Sequence, residues 1–342
     1  GGEGYVINKK VAMNAAGEGV YEQHPKMKKF MDWVEEAKSL DVFTNADTAA
    51  ELKLAMYFGA KGIGLCRTEH MLLATSDRVS MARSMILAKD DASRAEILDT
   101  KMEPMLKEDF QKLFEQAGDL PVTVRLLDPP LHEFLPTELE LRDEAFASDL
   151  AKKCSLPSSD ALRETCESRR EKNPMMGLRG CRVGILEPKI TSMQVKAIVN
   201  AMIDAHLKTG AHPQGKIMVP LVSTVDEFEN QRSLIFQTIE ETFKSRPEVN
   251  RANVLGPNVR EIPIGIMCET PRACVVAGSM VEDGGAAFMS FGSNDLTQLA
   301  FGFSRDDAST FLQRYKSEGI IERDPFDSLD QEGVGALIKM SV

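Results

Sequence analysis

Long apolar runs are missing from this 342-residue chain, and nothing approaches the roughly 18 uncharged apolar residues of a membrane span. The N-terminal GGEGYVINKK lacks an apolar core segment, so it does not read as a secretory signal. Cysteines are few, six in all (Cys66, Cys154, Cys166, Cys181, Cys268, Cys274), and no two form a CxxC pair. A zinc or thioredoxin-type redox motif is therefore excluded, and buried free thiols are expected. Basic residues are outnumbered too: 41 Lys and Arg against 52 Asp and Glu give a net charge of −11. That balance speaks against nucleic acid and anionic membrane as partners. An anionic ligand would have to be drawn by a local cluster. The expectation is an intracellular chain, or an internal piece of one.

What is present is ordinary for a globular protein, with 43% apolar and 27% charged residues. Six short apolar stretches, 41–45, 62–67, 122–127, 216–222, 262–268 and 287–292, read as strands. Helical patterns lie between them at 48–59, 78–88, 94–116, 191–208, 226–244, from Pro271, and from Leu296 onward. Strands alternating with helices argue for parallel βαβ units. The expected class is α/β, of the (β/α)8 TIM-barrel type, incomplete at about six units, since two of the eight strands are not found. Gly-rich residues 1–24 read as a linker or the remnant of a preceding domain. The barrel domain is expected over 25–342, opening with a helix at 25–40. An acidic insertion at about 137–173, with a helix or two, would cap or flank the site.

Four of the six strands end in chemistry-bearing groups. Arg67 follows GIGLC, Arg125 follows LPVTV, Glu269 follows IPIGIMC, and Asn294 and Asp295 follow FMSFGS. In a parallel barrel such residues converge on one mouth. Two guanidiniums with two carboxylates suit an anion held together with a divalent cation. Taken singly, each signal is ordinary: an arginine at a strand end is commonly a surface ion-pair partner, and Glu269 and Asp295 could both be solvated. Their place on successive strand ends is what raises them. Cys66 and Cys268 adjoin site candidates, but strand alternation points them the other way, into packing. His132, with Asp128 and Glu133 near it, reads as structural. The 18 methionines read as core filling.

The segments GLCRTEHM (64–71), RLLDPPLHEFLP (125–136), NPMMGLRGCR (173–182), CETPRA (268–273) and FGSNDLTQLAFGFSRDD (291–307) carry a resemblance. In this order they make residues 41–342 similar to the phosphoenolpyruvate/pyruvate-binding domain of the pyruvate phosphate dikinase family. Phosphoenolpyruvate synthase and the first enzyme of the sugar phosphotransferase system share the superfamily, and RLLDPPLHEFLP favours the dikinase. The resemblance implies a phosphotransferase in which a phosphohistidine, on a swivelling domain of the same enzyme, gives its phosphoryl group to pyruvate enolate. The full enzyme would convert ATP, phosphate and pyruvate to AMP, diphosphate and phosphoenolpyruvate.

The resemblance also implies the roles. Arg67 and Arg125 would contact the transferring phosphoryl group and the enolate oxygen, and Arg179 the phosphoryl group. Arg305, in FGFSRDD, would be a more distant substrate-site arginine. Glu269 and Asp295 would hold Mg²⁺, and Asn294 would hydrogen-bond the substrate carboxylate. A homodimer contact is implied on this domain. The compartment would be the cytoplasm by default, with plastid and microbody members alike in this region.

Two departures from the family pattern stand out. No segment like the family's CGEHGGDP, which carries its proton-donating cysteine, occurs here. The chain therefore reads as ending before the seventh and eighth βα units, and alone it is expected to be inactive. The other departure is Leu178, where the family commonly has histidine before the arginine. Two rival functions remain at this point. A synthase would use water as co-substrate and should lack RLLDPPLHEF. A module that binds phosphoenolpyruvate without turnover would be told apart by an activity assay.

Overall fold

Short stretches at 44–45, 63–67, 121–125, 214–219, 264–268 and 289–291, apolar in the main apart from the first, build six strands, and each is followed by helix. In a computed structural model these are β1 (Thr44–Asn45), β2 (Ile63–Arg67), β3 (Pro121–Arg125), β4 (Gln214–Val219), β5 (Ile264–Cys268) and β6 (Met289–Phe291). The described residues are 19, 21 and 24–342, without 172, 174, 175 and 258 and without the side chain of His132. Contacts divide the chain into Gly1–Val42 and Phe43–Val342. The first unit contains the helix Pro25–Ala37; the stretch read as a linker lies largely outside the described residues.

In the second unit all five neighbouring strand pairs are parallel, in the order β1-β2-β3-β4-β5-β6. The result is a curled half-barrel of α/β type, an incomplete (β/α) barrel. All six expected strands are present, though β1 is only two residues long and β3 ends at Arg125 rather than 127. Loop residues Leu126 and Leu127 are buried nonetheless, and the Leu127 N–H donates to Gln194 Oε1 at 2.8 Å. Burial without a strand is what made the run read as longer.

The helices follow from local chemistry. Thr224 opens Val225–Lys244 with a capping box to Glu227, and Thr48, Thr75 and Thr270 cap their helices through side-chain oxygens. Pro188–Thr209 ends at Gly210, whose φ of +74° suits a left-handed stop. The helix expected at 94–116 is three pieces: Asp91–Ile97, a π turn at Leu98–Met102, and Glu103–Ala117. The acidic insertion carries three helices, Glu138–Arg142, Glu144–Lys153 and Ser159–Ser168.

The core lies between the sheet and its helices, with Phe110, Phe114 and Phe228 fully buried. Truncating one of these to alanine would cost about 3–5 kcal/mol. Cys66 packs in this core. A smaller cluster joins Cys268, Ala273, Cys274 and Leu296 to Val334 on the helix Val334–Ser341. All six cysteines are free and buried, as their sequence contexts imply. No described helix is long and apolar enough to cross a membrane.

Candidate functional site

Arg67 and Arg125 are the last residues of β2 and β3, and they pair in register across the ladder. Residues paired in a parallel sheet point to the same face, so the two guanidiniums issue side by side from one end of it. The backbone behind Arg67 is fixed by its N–H, which donates to Asp47 Oδ1 at 2.7 Å. The Arg67 guanidinium itself makes no ion pair among the described residues. Arg125 is buried: it donates to Glu69 and, from Nη1, to Met267 Sδ at 3.3 Å, and it pairs with Asp128 at 3.1 Å.

Arg179 arrives from outside the sheet. The loop that carries it is pinned by Gly180 N–H to Asp128 O at 2.9 Å and by Cys181 N–H to Pro220 O at 3.1 Å. Gly180 sits at φ +58°, and a Cβ there would lie 2.7 Å from Leu221 Cβ, so only glycine lets the loop come so close. Leu178 N–H is held by both oxygens of Glu171 at 2.9 Å, which fixes the segment with leucine in the departing position. Arg179 then bridges Asp128 at 2.8 Å and Asp295 at 2.9 Å.

Glu269 directly follows β5 and is wholly buried. Its Oε1 accepts the Leu221 N–H at 2.7 Å, while Oε2 has no hydrogen-bond partner. Leu221 adopts φ +55°, an uncommon conformation for a branched residue, and its N–H faces the carboxylate from it. A side chain at 292 would run into Glu269 Oε2, so Gly292 at the end of β6 keeps that approach open. Burial raises the Glu269 carboxyl well above the ordinary range, and the nearby charges of Asp128 and Asp295 add to it against the pull of Arg125. Burial likewise raises Glu69, against the opposing charge of Arg125. Burial works against the Arg125 and Arg179 charges, but Asp128 and the other carboxylates outweigh it and raise both.

Asn294 and Asp295 occupy the first turn of the helix Ser293–Phe301, where free N–H groups favour negative charge. Asn294 is exposed. Arg305 is not drawn into this network: it is exposed, with its guanidinium 5.8 Å from the centre of the Phe326 ring. Its neighbours Ser304 and Asp306 nevertheless line a cavity of about 710 Å³ that Arg179 also lines. His132, read as structural, has its side chain outside the described residues.

Over residues 21–342 the chain matches the family model described as "PEP-utilising enzyme, PEP-binding domain". The chain belongs to that family. Its relatives include pyruvate, phosphate dikinase 2 of Zea mays, 43% identical over 312 residues, which are 91% of this chain and 33% of that protein. Pyruvate, phosphate dikinase of Rhizobium meliloti (strain 1021) is 45% identical over 313 residues, 92% of this chain and 33% of the relative. Pyruvate, phosphate dikinase 1, chloroplastic, of Oryza sativa subsp. japonica is 43% identical over 312 residues, 91% of this chain and 31% of the relative. The chain thus spans about a third of the length of these relatives.

For a PEP-binding domain, the sequence reasoning missed two members of the cluster, Glu69 and Asp128. A signal was available. Each lies two or three residues beyond a strand-end arginine, in RTE and RLLD: Asp128 folds back onto Arg125, and Glu69 reaches from the end of β2 to the same guanidinium.

Proposed function

We propose that this chain exchanges a phosphoryl group between pyruvate enolate and a phosphohistidine carried on another domain of the same enzyme. This is the second half of a pyruvate, phosphate dikinase reaction. The observation that carries the reading is Glu269, a fully buried carboxylate with one oxygen fixed by the Leu221 N–H and the other unpartnered. Such a group is costly unless something cationic completes it.

Mg²⁺ fits. Glu269 and Asp295 offer two hard oxygen ligands, and a magnesium site commonly takes the rest from substrate and water. Among the described residues no group of three or more His, Cys, Asp or Glu is placed to hold a metal. When bound, the ion would stabilise the enolate oxyanion as charge develops on it.

Arg67 and Arg125 would clamp the phosphoryl group and enolate oxygen, Arg67 with its guanidinium uncommitted and Arg125 from its buried position. Arg179 would meet the phosphoryl group from the other side of Asp128. Planar, permanently charged guanidiniums suit a transfer state whose charge spreads over three equatorial oxygens. Asn294 would hold the substrate carboxylate, and Arg305 would serve the approach across the cavity wall. Proton transfer to the enolate methylene is assigned to no residue of the cluster, so the inactivity expected of the chain alone concerns overall turnover and not the phosphoryl transfer step.

Phosphoryl-labelled phosphoenolpyruvate tests the reading when incubated with this chain, Mg²⁺ and a phosphocarrier histidine domain. The P–O bond to the enolate breaks, a P–N bond to histidine forms, and enolate leaves. Label on histidine is the expected result. Label that stays on phosphoenolpyruvate, although phosphoenolpyruvate binds, would contradict it.

A further inference from the structure

Asp128 lies where three separately supported pieces of chain meet. Its own segment is held by Leu126 N–H to Met218 O at 3.0 Å and by Leu127 N–H to Gln194 Oε1 at 2.8 Å. Its carbonyl accepts the Gly180 N–H at 2.9 Å, and Pro129 follows it, which restricts its backbone. The side chain is buried, and a single oxygen does its bonding. Oδ2 lies 3.1 Å from Arg125 Nη1 and 2.8 Å from Arg179 Nη2. Oδ1 has no partner.

Each arginine has a second carboxylate away from Asp128. Arg125 also binds Glu69, and Arg179 also binds Asp295. Two like charges repel, and each arginine has another anion to turn to. One shared oxygen is therefore what keeps the guanidiniums together. It accepts an N–H from Arg179 and pairs as an ion with Arg125, and the Nε of both arginines has no partner. Donors remain for a further anion.

We infer that Asp128 is a positioning residue: its Oδ2 holds Arg125 and Arg179 close enough to grip one phosphoryl group. This rests on the phosphoenolpyruvate reading given above. It deepens that reading by saying what selects a phosphorylated ligand over an unphosphorylated one. Without the shared oxygen, Arg125 turns toward Glu69 and Arg179 toward Asp295, and the phosphoryl group meets one arginine at a time. Arg67, which Asp128 does not hold, still serves the enolate oxygen, and Glu269, Asp295 and Asn294 still serve the carboxylate, so that end of the ligand is little affected.

The test compares two ligands by calorimetry in the presence of Mg²⁺: phosphoenolpyruvate, and oxalate, which mimics the enolate and has no phosphoryl group. In Asp128→Asn, phosphoenolpyruvate should bind about tenfold more weakly while oxalate stays within about twofold, the loss expected for one charge-assisted contact. Equal weakening of both would make Asp128 a merely structural residue, and tighter phosphoenolpyruvate binding would make it a competitor for the arginines; either overturns the inference. Should Asp128→Asn not fold, Asp128→Glu replaces it. That variant keeps the charge but moves the oxygen by one methylene, so the preference for phosphoenolpyruvate should fall severalfold, and an unchanged preference in folded protein overturns the inference. If the unaltered chain binds neither ligand, the site reading itself fails, and the inference falls with it.

Discussion

The strand-end cluster and the acidic insertion are built from the same residue types and treat them in opposite ways. In the insertion, Arg163 pairs with Glu144 at 2.6 Å and Arg170 with Glu138 at 3.0 Å, all at the surface and in reach of water. Hydrogen bonds from Arg163 and Ser159 hold the Glu144 carboxyl below its ordinary value. At the strand ends, Glu69, Arg125, Asp128, Arg179 and Glu269 are buried, and five of their polar atoms have no partner. There burial pushes Glu269 and Glu69 up. Surface pairs are cheap and contribute little. Buried, partly satisfied charges cost stability, and such sites persist where a ligand completes them.

The sharpest way to break this contrast is to remove one charge from each region. Arg125→Ala leaves Glu69 buried without its cation and Asp128 with Arg179 alone, and should cost about 3–5 kcal/mol in urea unfolding. Arg163→Ala should leave the thermal midpoint within about 1 °C. Similar losses in the two variants would abolish the distinction.

Glu269→Gln refines it. Glutamine can still accept the Leu221 N–H but carries no charge, so the ligand-free chain should gain about 1–2 kcal/mol at neutral pH. The sign follows from the raised carboxyl. With its folded pKa above the unfolded one, ionised Glu269 destabilises the fold once pH exceeds the unfolded value, and the penalty grows up to the folded one. The gain should therefore shrink as unfolding is measured at pH values approaching 4.5. A variant less stable than the parent at neutral pH would show that Glu269 is a structural residue.

An effect of similar size and opposite sign is expected from Gly180→Ala, which places a Cβ against Leu221 at a positive φ. About 1–3 kcal/mol should be lost. Oxalate affinity should fall as well, because Leu221 carries the N–H that holds Glu269. A stable variant with altered affinity would separate the two roles of the loop.

Much of this was legible in the sequence, for physical reasons. The central strands were readable because β3, β4 and β5 are largely buried, and buried parallel strands write short apolar runs. The placement of Arg67, Arg125 and Glu269 was readable because they end such runs, and that of Asn294 and Asp295 because they open the helix after one. Glu69 and Asp128 were not, since an acidic residue near an arginine looks the same in a surface pair and in a buried one. Only burial distinguishes Arg125–Asp128 from Arg163–Glu144. The clamp on Glu269 was hidden for another reason: it is made by the main chain of Leu221, and a backbone N–H has no signature in sequence. The π turn at Leu98–Met102 lies within a continuous helical pattern for the same reason, because one extra residue per turn changes the backbone and leaves the composition alone.

The most direct test of the central claim, that these strand ends form a Mg²⁺-dependent enolate site, is calorimetric titration with oxalate, with and without Mg²⁺, on the chain and on Glu269→Ala. Binding that requires Mg²⁺ and disappears in Glu269→Ala, with the variant still folded by circular dichroism, is the predicted result. Oxalate binding that is indifferent to Mg²⁺, or that survives Glu269→Ala, would contradict the account.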